Sequence, residues 1–157
     1  MTYSIENFEE HQDLFNLIAG TANKTDKKDI NNQLQLINEE VGEIAQALRD
    51  NNSVELLDGA IDSLFVVLGL IQKLKMKGFI TYEAMQRVAE NNLSKFPTDY
   101  AIVLKTIEHY RQQGIDCHYE YLEEYGRYVI RDRNNKVRKP VGYVAVDLSD
   151  CVPDGEI

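Results

Sequence analysis

The sequence predicts a mainly α protein: a bundle of four to five helices with a small C-terminal β-hairpin or extended arm. Three observations carry that reading. Apolar residues recur at helical spacing through about residue 113, polar or glycine-containing breaks divide that stretch into segments, and after Gly114 the composition shifts to Tyr and Val. At 157 residues the chain suits one domain with a real core, burying roughly 68–70% of its unfolded surface. The expected organisation is a single domain over 1–157, with a helical core at about 4–113 and the arm at about 115–157.

A first helix over Ser4 to Ala19 carries Phe8, Leu14, Phe15, Leu17 and Ile18 and stops at Gly20. The second, Asp26 to Leu48, places Ile30, Leu34, Ile37, Val41, Ile44 and Leu48 at steps of four and three, one continuous stripe that must pack against other helices. Asn52 or Ser53 can cap the third, with Glu55 in its first turn, and Gly78 ends it. Its stretch "LFVVLGLI" is apolar all round, which suits the centre of a bundle or a subunit interface. A fourth helix runs from Thr81 until Phe96 and Pro97 end it, and a fifth from Tyr100 to Gln113. The Tyr- and Val-rich remainder, with a turn candidate at Asp132 to Asn135, reads as a hairpin or irregular arm. A lone hairpin is barely stable, so it is expected to lie on the helical body or on a partner subunit.

Charge narrows the function. Twenty-six acidic against 17 basic residues, a formal charge of -9, argue against nucleic acid or an anionic membrane as partner. An acidic protein would handle phosphates through a bound cation. The longest apolar run, Leu64 to Ile71, is too short to span a bilayer, and no leader-like segment is present, so a cytoplasmic location is expected. Cys117 and Cys151 are too few to staple a fold, His11, His109 and His118 lack ligand spacing, and Cys117 beside His118 reads as structural.

The chemistry concentrates in "INEEVGEIAQ". At 100° per residue, Glu39, Glu40 and Glu43 fall within an arc of about 100° at the margin of the apolar stripe. On the third helix Glu55, Asp58 and Asp62 stack within an arc of about 60°. A short connection makes the two helices antiparallel neighbours, so the acid faces can meet. Facing carboxylates cannot all ionise cheaply without a counter-ion, and oxygen-only ligands favour Mg²⁺, with Mn²⁺ possible. Gly42, in the middle of the second helix, costs about 0.8–1 kcal/mol relative to Ala. Either a helix or ligand approaches closely there or the cost is tolerated.

These residues resemble the all-α nucleoside triphosphate pyrophosphohydrolases, the superfamily of MazG-like proteins, dimeric dUTPases and phosphoribosyl-ATP pyrophosphohydrolases. Their pattern is EExxE on one helix and ExxD on the next. "EEVGE" matches the first part, and Asp62 stands in the place of the closing Asp. Its glutamate partner would fall at Gly59; Asp58 is one residue off, and Glu55 with Asp58 makes a literal ExxD one turn earlier. Asp58 is preferred because a spacing of four keeps it on the face of Asp62.

A second similarity, to phosphoribosyl-ATP pyrophosphohydrolase-like members of bacterial or phage type, lies in "NLSKF" and "NKVRKPVGYVAVDL". It matches Asn92, Lys95, Lys136, Lys139, Tyr143 and Asp147, with Asn135 replacing a glycine and an insertion between the pieces. The resemblance implies a Mg²⁺-dependent hydrolase that cleaves a nucleoside triphosphate, with a lean toward deoxynucleotides, into monophosphate and pyrophosphate. Glu40, Glu43, Asp58 and Asp62 would hold metal, Glu39 or Glu40 would accept a proton from water, and Asn92, Lys95, Lys136, Lys139 and Tyr143 would bind substrate. It also implies a homodimer or dimer of dimers in a bacterial or phage-infected cell. The alternatives are phosphoribosyl-ATP as substrate, or a non-catalytic helical module that binds metal or a protein partner.

Overall fold

The computed structural model describes residues 3–154; the last three positions of the expected arm lie outside that range, as do the first two of the chain. It divides into two compact units, one holding the chain up to Thr81 with the segment from Asp150 onward, the other Tyr82–Ser149.

The first unit is built from α1 (Ile5–Ile18), α2 (Lys27–Arg49) and α3 (Ser53–Met76). Each start has a chemical cause. Ser4 accepts from the Asn7 N–H while the Asn7 side chain accepts from the Ser4 N–H, and Asp26 and Asp29 repeat the arrangement on α2. Asn52 caps α3, its side chain accepting from the N–H groups of Val54 and Glu55. The α2–α3 connection is only Asp50 to Asn52, with Asn51 in the left-handed region at φ 52°. The helices are antiparallel: Gly59 sits beside Ile44, and Gln33 donates to the Val66 carbonyl. Near the end of the chain Cys151 is buried and its carbonyl accepts from the Ile80 N–H.

The packing departs from the apolar pattern in two helices. The apolar set of α1 is not its buried face: Gln12 and Asn16 are buried, while Leu14, Phe15, Leu17 and Ile18 are exposed. The reason is rotational. Phe8, Gln12 and Asn16 follow one another at steps of four and so share a face; Phe8 meets Phe65 edge to face and Asn16 donates to Gln72, both on α3. The stripe of α2 splits likewise into two rows at steps of seven. Ile30, Ile37 and Ile44 are half-buried, whereas Leu34, Val41 and Leu48 face outward. In "LFVVLGLI" Leu68 and Gly69 are buried and the rest half-buried.

The second unit contains nearly all of α4 (Thr81–Leu93), then α5 (Tyr100–Gln112) and the antiparallel strands β1 (Cys117–Leu122) and β2 (Arg127–Asp132), paired from Cys117 with Asp132 to Leu122 with Arg127. Strand reversal occurs through a 3₁₀ turn at Glu123–Tyr125 and left-handed Gly126, at φ 62°. The turn expected at Asp132 to Asn135 exists, but it follows the hairpin and returns Val137 to bridge Arg131. Buried Asp132 organises it, accepting from the Asn134 and Lys136 N–H groups and from Arg138 in a two-pronged pair. The Lys136 N–H and then the Arg138 side chain hold the Asp132 carboxyl below its ordinary value. The hairpin lies on α5, with Val103, Thr106, Val129 and Ile130 buried, and Arg127 donates to the Phe96 carbonyl at the end of α4. Among the described residues no helix is long and apolar enough to cross a membrane.

Candidate active site

Glu40 is the centre of the acid cluster. It lies three residues after Ile37 and four before Ile44, so it falls on the half-buried row of α2, while Glu39 and Glu43 to either side are exposed. Its Oε2 is buried and has no hydrogen-bond partner. Burial, and then the charges of Glu43, Asp62, Glu39 and Asp58, push its carboxyl above the ordinary glutamate value. Four of the other five acids singled out on α2 and α3 are thus near enough for their charges to act on Glu40. Glu55 is not among the charges acting on it.

Gly59 accounts for the departure from the ExxD pattern. A Cβ at this position would stand 3.1 Å from Ile44 Cγ1, 3.4 Å from the Ile44 nitrogen and 3.8 Å from the Glu40 carbonyl oxygen. Here α3 touches the backbone of α2, so a glutamate would point into the neighbouring helix. Asp58, one residue earlier, is exposed and free of that contact. The close approach considered for Gly42 is thus made elsewhere, because a Cβ at Gly42 meets nothing within 4 Å.

Among the described residues no three His, Cys, Asp or Glu side chains stand close enough together to hold a metal ion. The donor chemistry nevertheless fits a hard cation: every acid is an oxygen ligand, and the orphaned Glu40 Oε2 is an acceptor for which the protein supplies no donor. Glu39, Glu43, Asp58 and Asp62 are exposed, so their side chains have rotamer freedom to close on an ion.

The remaining candidates belong to the second unit. Lys95 Nζ donates to Asn92 Oδ1 at 2.6 Å, which ties the two residues of "NLSK" together. Lys139 Nζ lies 4.7 Å from the centre of the Tyr143 ring, and the Tyr143 hydroxyl donates to Asn91. Lys136 stands exposed on the turn organised by Asp132. Asn91, which also donates to the Val144 carbonyl at 2.7 Å, joins the end of α4 to the 140s segment. Sequence reasoning missed it because adjacent asparagines differ only in which side of the helix each occupies. Burial pushes the Cys117 thiol up, in keeping with its structural reading.

A comparison with protein families matches residues 13–92, just over half of the chain, to the phosphoribosyl-ATP pyrophosphohydrolase family. The matched stretch contains all five clustered acids and ends at Asn92; Lys95, Lys136, Lys139 and Tyr143 lie beyond it. Neither the curated proteins nor the solved structures gave a match. An EExxE helix paired with an aspartate-bearing helix, four carboxylates whose charges act on a fifth with a buried oxygen, and this family match converge: the chain belongs to the phosphoribosyl-ATP pyrophosphohydrolase family of the MazG-like all-α superfamily, hydrolases of phosphoric anhydride bonds.

Proposed function

We propose that the protein hydrolyses a nucleoside triphosphate, with deoxynucleotides favoured, between the α and β phosphates, releasing the monophosphate and pyrophosphate. The observation that carries this reading is Glu40, whose buried oxygen lacks a donor and on which the charges of four further carboxylates act. Glu40, Glu43, Asp58 and Asp62 are the residues assigned to Mg²⁺, with Mn²⁺ as the substitute. A divalent ion held there would offset the negative charge of the phosphates and of the transition state. Glu39 or Glu40 takes the proton of the attacking water as the new P–O bond forms and the anhydride bond breaks, its bridging oxygen leaving with pyrophosphate. Lys95, Lys136 and Lys139, with Asn92 and Tyr143, are assigned to substrate oxygens; their charge and hydrogen-bonding capacity suit that role.

A homodimer or dimer of dimers is part of the proposal. Leu34, Val41 and Leu48 form an outward row on α2, and Val54, Leu57 and Ile61 form another on α3; Val54 is 75% exposed. Apolar rows of this kind mark surfaces that a partner covers. Hydrolytic family membership leaves the non-catalytic alternative without support. A second reading, phosphoribosyl-ATP as substrate, is suggested by the family's name alone. A panel of ribo- and deoxyribonucleoside triphosphates plus phosphoribosyl-ATP, assayed for pyrophosphate release with Mg²⁺, separates the two. Turnover of a triphosphate above phosphoribosyl-ATP is expected, and the reverse order rejects the proposal.

A further inference from the structure

The β-hairpin of the second unit has one open edge. On β2, the Tyr128 N–H donates to the Pro97 carbonyl, the Ile130 carbonyl accepts from the Arg138 N–H, and the Asp132 N–H donates to the Lys136 carbonyl. Tyr128, Ile130 and Asp132 therefore turn their backbone groups away from β1, and the hairpin is bonded through the residues that alternate with them. Across the ladder these three stand opposite Tyr121, Tyr119 and Cys117, which must turn their own N–H and C=O groups away from β2. Among the described residues no hydrogen bond reaches those groups.

Edge strands invite pairing with another chain, and proteins blunt them with proline, lysine or a bulge. β1 has none of these: "CHYEYL" holds neither Pro nor Lys, and its register with β2 runs unbroken from Cys117 to Leu122. Its rings are left half covered as well. Tyr119 is 40% exposed and Tyr121 49%, although their ring centroids lie 6.0 and 4.6 Å from that of Tyr128 and Tyr119 also meets Tyr100 edge to face.

We propose that β1 pairs antiparallel with β1 of a second copy of the chain, across a two-fold axis at Tyr119, so that the two hairpins form one continuous sheet. Charge selects both the occupant and the register. Three alignments keep most of β1 paired through its outward residues, centred on His118, Tyr119 or Glu120. The first sets Glu120 against Asp116 and the third sets Glu120 against its own copy, and like charges directly opposite destabilise a sheet. Centred on Tyr119, His118 of each copy stands opposite Glu120 of the other, in a non-hydrogen-bonded pair where side chains come closest and an imidazole can donate to a carboxylate. The strand is thus complementary to itself in one register. On the other face Tyr119 faces its own copy across the axis, which joins each tyrosine cluster to its counterpart. None of these residues belongs to the outward rows of α2 and α3, and the seam does not rest on the proposed chemistry.

Two measurements on the full chain test it. Sedimentation equilibrium reads the mass of the assembly. Wild type is expected at an even multiple of the chain mass, and His118→Glu, at an exposed position, is expected to halve it by setting a carboxylate opposite Glu120. The charge swap His118→Glu with Glu120→His is expected to restore it, and Tyr119→Pro, which removes an outward N–H, to halve it again. The second measurement reads the register. In this alignment Cys117 faces position 121 of the other copy as a hydrogen-bonded pair, with Cα atoms about 5.5 Å apart, within disulfide range. Within one chain the two positions lie four residues apart along an extended strand and cannot meet. Mild oxidation of Tyr121→Cys is therefore expected to give a covalent dimer bridged between 117 and 121, as mapped by peptide mass spectrometry. A monomeric wild type, which would leave the edge to a strand of some other protein, overturns the seam. So does a mass that neither His118→Glu nor Tyr119→Pro changes, a charge swap that fails to restore it, or an oxidised Tyr121→Cys protein with no bond between copies.

Discussion

Replacing Gly59 and Gly42 separately by alanine tests how α2 and α3 meet at the acid cluster. Both glycines sit inside helices, where Ala is favoured by about 0.8–1 kcal/mol. At Gly42 nothing lies within 4 Å of the new Cβ, so that gain is expected in full. At Gly59 the Cβ would lie 3.1 Å from Ile44 Cγ1, tighter than ordinary contact, and 3.4 Å from a backbone nitrogen, at the lower limit of ordinary contact. The Ile44 side chain must give by a few tenths of an ångström, the backbone beside it leaves no slack in which to do so, and overpacking of this kind costs about 1–3 kcal/mol. The net for Gly59→Ala is then a loss of up to about 2 kcal/mol. For a protein of this size each kcal/mol moves the melting midpoint by about 2–4 °C. Urea and thermal melts should therefore rank Gly42→Ala above wild type and Gly59→Ala at or below it, with Gly59→Glu lowest. A Gly59→Ala protein as stabilised as Gly42→Ala would refute the close approach, and with it the reason that no glutamate stands at 59.

Glu40→Gln should stabilise the metal-free protein, because it removes a charge that burial and then the neighbouring acids disfavour. The same variant should lose both activity and any stabilisation by Mg²⁺; thermal melts with and without the ion check both halves. The raised carboxyl of Glu40 fixes a sign. Metal-free stability should fall as pH rises from the ordinary glutamate value through the higher folded one, where the folded chain must ionise a group it disfavours. Mg²⁺ affinity, followed by calorimetry, should rise over the same window because the ion displaces a proton. Asp132 behaves oppositely: its folded value is depressed, so its contribution is complete above the ordinary aspartate value and disappears as pH falls through the depressed one. Asp132→Asn should destabilise the second unit and flatten that acid limb in urea melts.

The helices were legible because their boundaries are written locally. Ser4, Asp26 and Asn52 are side chains that bond the first free N–H groups, and the structure uses all three as caps. The acid constellation was legible for the same reason, since helical spacing alone puts Glu39, Glu40 and Glu43 at one margin. What periodicity did not show was which side of each helix meets which neighbour. In α1 the buried positions are Gln12 and Asn16, and a face with amides on it has no hydrophobic signature. In α2 one stripe was two rows, because Leu34 and Ile37 lie about 60° apart around the axis and only one of them is turned toward the core. The role of Gly59 depended on an inter-helix distance that no local pattern encodes. Asp132 looked like one turn residue among several, and only its burial among three donor groups shows that it organises the segment after the hairpin.

Phosphorus NMR of a deoxynucleoside triphosphate incubated with the protein and Mg²⁺ tests the central claim most directly. The account predicts that the triphosphate signals give way to monophosphate and pyrophosphate alone, that chelator stops the change, and that Glu43→Gln slows it by about 100-fold or more. Diphosphate with orthophosphate as products, conversion that survives chelator, or an unchanged spectrum would contradict it.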